Sequence, residues 1–144
     1  MKLQKQKPYE CFPTVLAMLL DTPVARVKQE LLAGELKKDS WAYLIANPYT
    51  AKFGVLQARV EAYLAKHLPW VPAKAFKLDY AGEQYTLPAS GKGVAIFSGH
   101  IVAFEDGLVF DPNPMKAAPI PMQEYLAEMK QKNRLLILVA CENK

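Results

Sequence analysis

The chain predicts an α+β domain, with helices first and an antiparallel sheet after them. Two observations carry this reading. Between Cys11 and Leu68, apolar residues recur at helical spacing. Beyond Pro69-Trp70-Val71-Pro72 the chain changes to short runs of β-branched and aromatic residues separated by turn residues. The expected organisation is a single domain over residues 1–144, with a helical half at 1–68 and a β-rich half at 73–144.

A chain of 144 residues can bury a core without covalent staples. With 51% hydrophobic and 22% charged residues, its composition is that of an ordinary globular domain. No apolar run approaches a membrane span, so membrane insertion is not expected. Asp21-Thr22-Pro23, after the first apolar run, offers no small-x-small cleavage site, and the expected location is cytoplasmic. The net charge of +4 comes partly from Lys2, Lys5 and Lys7, which are not interleaved with aromatics. That pattern suits a solvated tail, and no nucleic-acid partner is expected. Cys11 and Cys141 form no Cys-x-x-Cys pair, and the only histidines are His67 and His100. Neither a disulfide, a metal site nor an organic cofactor is therefore implied.

The first helix opens at Cys11-Phe12-Pro13-Thr14 and runs through Leu20. It is apolar nearly all round, which places it inside the domain. Pro13 fits only the first turn, so the helix must start between Glu10 and Phe12, with Cys11 at its N-terminus. Unpaired N–H groups and the helix dipole would stabilise a thiolate there. The same residue also suits a small buried cysteine that merely packs. Asp21 or Thr22 is the expected cap of a second helix, with Pro23 at its first position; Val24, Val27, Leu31 and Leu32 form its apolar face and Gly34 its stop. Trp41, Leu44 and Ile45 suggest a short helical piece ended by Asn47-Pro48. A third helix follows Gly54, with Leu56, Val60, Tyr63, Leu64 and Leu68 on one face and His67 in the last turn, where an imidazolium suits the dipole.

Strands are expected at Ala75–Leu78, Gln84–Leu87, Val94–Phe97, His100–Phe104 and Leu108–Asp111. Ser90-Gly91-Lys92-Gly93 looks like the tail of a phosphate loop, but a strand follows it and it reads as a turn. Pro112, Pro114, Pro119 and Pro121 predict an irregular loop, and Pro121 to Met129 a helix. The final apolar run from Leu135 to Ala140 fits a strand in the interior of the sheet.

Asp106-Gly107 is a two-residue hairpin signal, because a type I′ turn needs positive φ at both positions. That turn pairs Glu105 with Leu108, Phe104 with Val109, Val102 with Asp111 and His100 with Asn113. His100, Asp111 and Asn113 then share one face, with Asn113 opposite the histidine and Asp111 diagonal to it. Either would fix the tautomer of His100. A satisfied structural histidine fits this hairpin too. Taken with Cys11, however, the chain order of thiol, histidine and carboxylate or amide is that of a cysteine hydrolase.

The stretch Gln6…Glu10-Cys11-Phe12-Pro13-Thr14…Leu16-Ala17-Met18-Leu19 resembles the opening of papain-like cysteine peptidases. It is most similar to the small bacterial branch that processes double-glycine bacteriocin leaders. Gly99-His100-Ile101-Val102…Asp111-Pro112 resembles the second block of that branch. The resemblance implies a compact papain-like fold, with the Cys-bearing helix packed on the C-terminal antiparallel sheet. It implies Cys11 as nucleophile, His100 as base and Asp111 as orienting residue. Gln6 would be the side-chain donor to the oxyanion beside the Cys11 backbone N–H, with Gln4 a competing candidate. Phe12 stands where the branch has glycine, which would narrow the cleft beside the nucleophile.

The expected activity is hydrolysis of a peptide or other amide bond through an acyl-thioester, with a protein or peptide as substrate. Transglutamination or side-chain deamidation on the same triad is an alternative, since both share the thioester. A non-catalytic papain-like module that docks on a partner is another.

Overall fold

The computed structural model describes residues 1–7, 10–32, 62–63, 66–67, 71–78, 91–97, 99–132 and 136–142. Among them are three α-helices: α1 (Cys11–Leu20), α2 (Val24–Leu32) and α3 (Met122–Gln131). The strands are β1 (Val71–Leu78), β2 (Lys92–Phe97), β3 (His100–Glu105), β4 (Leu108–Phe110), β5 (Ile120–Pro121) and β6 (Leu136–Glu142). They form one sheet in the order β1-β6-β2-β3-β4-β5, with every neighbouring pair antiparallel. The α+β class thus holds. The expected short helix around Trp41 and the strand Gln84–Leu87 lie outside the described residues, as does the third helix apart from residues 62–63 and 66–67, which are helical.

Both faces of β2 and β3 are covered, which is why these strands are buried at almost every position rather than at alternate ones. On one face α1 lies against β3 and β2, and α2 against α1. Phe12, Val15, Leu16, Leu19 and Val27 pack there with Val94, Ile96, Ile101 and Phe110. On the other face α3 sets Met122, Tyr125, Leu126 and Met129 against Ala95, Phe97, Val102, Phe104 and Val109. Residues Phe12 to Leu19 are all buried, in keeping with the all-round apolarity of that helix. Phe12 is fully buried within the α1 core, so its ring points inward rather than across a cleft.

The turn between β3 and β4 has Asp106 at φ 49° and Gly107 at φ 81°, the positive pair a type I′ turn requires. The ladder follows the expected register for Glu105↔Leu108 and Phe104↔Val109 and continues to Ala103↔Phe110. It ends there. Asp111 is not a strand residue as expected, because Pro112 has no N–H to extend the ladder and Asp111 accepts the Asn113 N–H instead. Gly91 precedes β2 and exchanges two hydrogen bonds with Asp106: its N–H donates to the carboxylate and its carbonyl accepts the Asp106 N–H, both at 2.9 Å.

Three boundaries differ from expectation for physical reasons. Asp21 does not cap α2; at φ 51° it closes α1 in the left-handed conformation, its N–H and that of Thr22 returning to the last turn of α1. Thr22 does not cap either, its hydroxyl lacking a hydrogen-bond partner among the described residues. Pro23 sits just before α2 and its carbonyl accepts the Arg26 and Val27 N–H groups, the role of a flanking residue. In the proline-rich loop, Ile120 and Pro121 pair with Val109 and Leu108. The sheet edge tolerates Pro121 there, and it tolerates Pro72 in β1 at the opposite edge, beside an irregularity between Val71 and Lys74. Away from the sheet, Glu30 on α2 accepts the Tyr63 hydroxyl at 2.7 Å and lies 3.0 Å from His67 Nε2. His67 is thus engaged by a carboxylate on a neighbouring helix.

Candidate active site

α1 begins at Cys11, so this thiol stands on the first turn, where backbone N–H groups have no intrahelical partners. Pro13 occupies the same turn and gives up no hydrogen bond there. The turn is closed by Glu10, whose carbonyl accepts both the Thr14 N–H at 3.2 Å and the Thr14 hydroxyl at 2.6 Å. The Glu10 side chain is buried and forms an ion pair with Lys28 of α2 at 2.7 Å. That pair anchors the start of α1 to its neighbouring helix. Cys11 is a free thiol, half-buried.

His100 opens β3 and makes polar contacts on two sides. Its Nε2 donates to Asp111 Oδ1 at 2.6 Å, and the Cys11 thiol lies near enough to the ring to help raise its pKa. With Nε2 engaged by the carboxylate, Nδ1 is the nitrogen left for the thiol. Cys11, His100 and Asp111 are thus brought together from a helix start, a strand start and the residue after a strand.

The Asp111 carboxylate is 2% exposed, and three donors satisfy it. Oδ1 accepts from His100 and from the Asn113 N–H at 2.9 Å; Oδ2 accepts from the Tyr125 hydroxyl at 2.7 Å. Burial raises the pKa of this acid, but the bond to His100, the imidazolium charge, the Asn113 N–H and the Tyr125 hydroxyl together lower it below its ordinary value. His100 shows the matching effect. Burial opposes its positive charge, yet the hydrogen bonds to Asp111 and Cys11 and the charges of both raise its pKa to about 9. The imidazolium is therefore the favoured form at neutral pH.

Asn113, the other residue considered as the partner of His100, is placed differently. Its side-chain oxygen accepts the Met115 N–H at 3.0 Å and so is spent in a turn. Its backbone N–H serves Asp111. Gln6 is brought to the same region by its main chain, the N–H donating to the Pro112 carbonyl at 2.8 Å. Its side-chain Oε1 is buried and has no hydrogen-bond partner among the described residues.

Tyr125 is the site residue that sequence reasoning missed. Helical periodicity places it on the buried face of α3, as for any core aromatic. Only the packing of α3 on the sheet shows that its hydroxyl meets a carboxylate. The one available signal was that a buried tyrosine normally finds a polar partner.

No group of three or more His, Cys, Asp or Glu residues suited to a metal ion occurs among the described residues. Among them, too, no helix is long and apolar enough to cross a membrane. No protein-family model, curated protein or solved structure matches the chain.

Proposed function

We propose that the chain is a cysteine hydrolase of papain-like fold that cleaves a peptide or other amide bond. One observation carries this reading: His100 donates to a buried carboxylate and has, as a neighbour that raises its pKa, a thiol on the first turn of a buried helix. Such an arrangement supplies a nucleophilic sulfur with a protonated imidazole beside it. A histidine kept merely for structure has no need of both partners.

In the proposed reaction the Cys11 sulfur attacks the carbonyl carbon. The developing oxyanion is held by the Cys11 backbone N–H and the Gln6 side-chain amide. As the carbon–nitrogen bond breaks, His100 gives its proton to the departing amine, leaving an acyl-thioester. His100 then takes a proton from water, whose oxygen attacks the thioester; the acid is released and the thiol restored. Asp111 keeps the ring oriented and balances its charge throughout. No cofactor takes part.

The test is alkylation of the intact protein by iodoacetamide at about pH 6, followed by mass spectrometry of its peptides. Cys11 is expected to react faster than Cys141, and His100→Ala is expected to abolish the difference. Equal rates for the two thiols in the parent protein would overturn the reading. With a peptide or amide substrate found by screening, Cys11→Ala is expected to remove turnover while keeping the fold, since the loss of one sulfur costs about 1 kcal/mol.

A further inference from the structure

Tyr125 lies on α3, on the opposite face of the sheet from the body of α1. It is fully buried, yet its hydroxyl is 2.7 Å from Asp111 Oδ2, the carboxylate oxygen that His100 does not use. Its ring packs against Phe97 of β2 at a centroid separation of 5.7 Å, so the phenol is fixed from the sheet side. The other two donors to Asp111 both meet Oδ1. A carboxylate held through one oxygen alone can still turn about its own bond; a donor on the second oxygen stops that rotation.

We propose that Tyr125 is a positioning residue of the active site, locking the Asp111 carboxylate so that Oδ1 stays committed to His100. This rests on the thiol–imidazole reading given above. The device ties the packing of α3 to the state of a thiol on the other side of the sheet. In this role it acts through Asp111 and is not itself a catalytic group. The Tyr125 hydroxyl is also one of the groups that hold the Asp111 pKa down, so its removal makes the acid easier to protonate.

The test uses Tyr125→Phe, which keeps the ring and its packing and deletes only the hydroxyl. Two readouts are taken on the intact chain: the titration of the Asp111 side-chain carbon by carboxyl 13C NMR, and the iodoacetamide rate of Cys11 at about pH 6. The Asp111 midpoint is expected to move up by about one pH unit, and alkylation to slow by about tenfold, the scale of one hydrogen bond to a charged group. Asp111→Asn is measured alone and combined with Tyr125→Phe. If Tyr125 acts through Asp111, adding Tyr125→Phe to Asp111→Asn slows alkylation no further. An unmoved Asp111 midpoint overturns the proposal, as does a second tenfold loss in the double variant. His100→Ala separates the two readings. If it slows alkylation while Tyr125→Phe does not, the role of Tyr125 fails alone; if it has no effect, the thiol–imidazole reading fails and this proposal with it.

Discussion

The Gln6 N–H donates to the carbonyl of Pro112 at 2.8 Å, tying the segment that enters α1 to the residue that follows Asp111. Two parts of the site that are distant in sequence are thereby fastened by main chain, which a side-chain substitution at residue 6 leaves in place. Gln6→Ala and Gln6→Pro consequently separate two contributions of one residue. With the proposed oxyanion role, Gln6→Ala lowers turnover on the order of a hundredfold to a thousandfold and leaves the alkylation rate of Cys11 unchanged. Gln6→Pro removes the main-chain donor as well, and is expected to lower both turnover and the urea midpoint. Equal turnover in parent and Gln6→Ala would move the oxyanion role away from this side chain.

Asp111 and Asn113 are expected to differ sharply on substitution. Asp111→Asn keeps the shape but removes the charge that supports the imidazolium, and turnover is expected to fall by on the order of ten to a thousandfold. Asn113→Ala deletes a side chain engaged with Met115 while keeping the N–H that serves Asp111, so its effect should be much smaller. Steady-state kinetics of the two variants provide the check. The reverse order would transfer the orienting role to Asn113.

Stability should fall on the alkaline side of neutrality. The folded protein raises the His100 pKa to about 9 from an ordinary value of 6.5. Below about pH 6.5 the ring is protonated in both folded and unfolded chains, and its contribution to stability is fully present. As pH rises toward about 9 the unfolded chain has released the proton and the folded one still binds it, so that contribution is progressively lost, on the order of a few kcal/mol. Asp111 works in the other direction: its lowered pKa contributes stability above the ordinary carboxylate range, and this disappears as acid protonates the folded state. Urea unfolding at about pH 6 and at about pH 9.5 checks the alkaline limb. The parent should lose stability between them, and His100→Gln should lose far less.

How far the sequence revealed the molecule depended on the range of the forces involved. Local rules located the hairpin: Asp106-Gly107 set the turn and with it the first rungs of the ladder. The all-round apolarity of α1 and the position of Pro13 placed the helix start at Cys11. Competition between two local rules obscured the α1–α2 junction, where Asp21 suits both a helix start and a left-handed helix end. Proline density concealed β5, since the rule against proline in strands relaxes at a sheet edge. The resemblance already favoured Asp111 over Asn113; that the β4 ladder ends at Phe110 and that the Asn113 side chain turns to Met115 were beyond it. Tyr125 was beyond any local rule, because its partner lies on a different element.

The place of β6 has a consequence for how the chain matures. This strand is the last in sequence among the described elements, yet it lies between β1 and β2 and hydrogen-bonds to both. Until residues 136–142 have been made, β2 lacks the neighbour on its far side, and β1 has nothing to join it to the rest of the sheet. The β2–β3 hairpin that presents His100 would meanwhile expose one unpaired edge on the ribosome. Closing the sheet by a strand so distant in sequence from β1 is slow relative to forming local helices and hairpins. The sheet that carries His100 is therefore completed by a strand well separated in sequence from both of its neighbours.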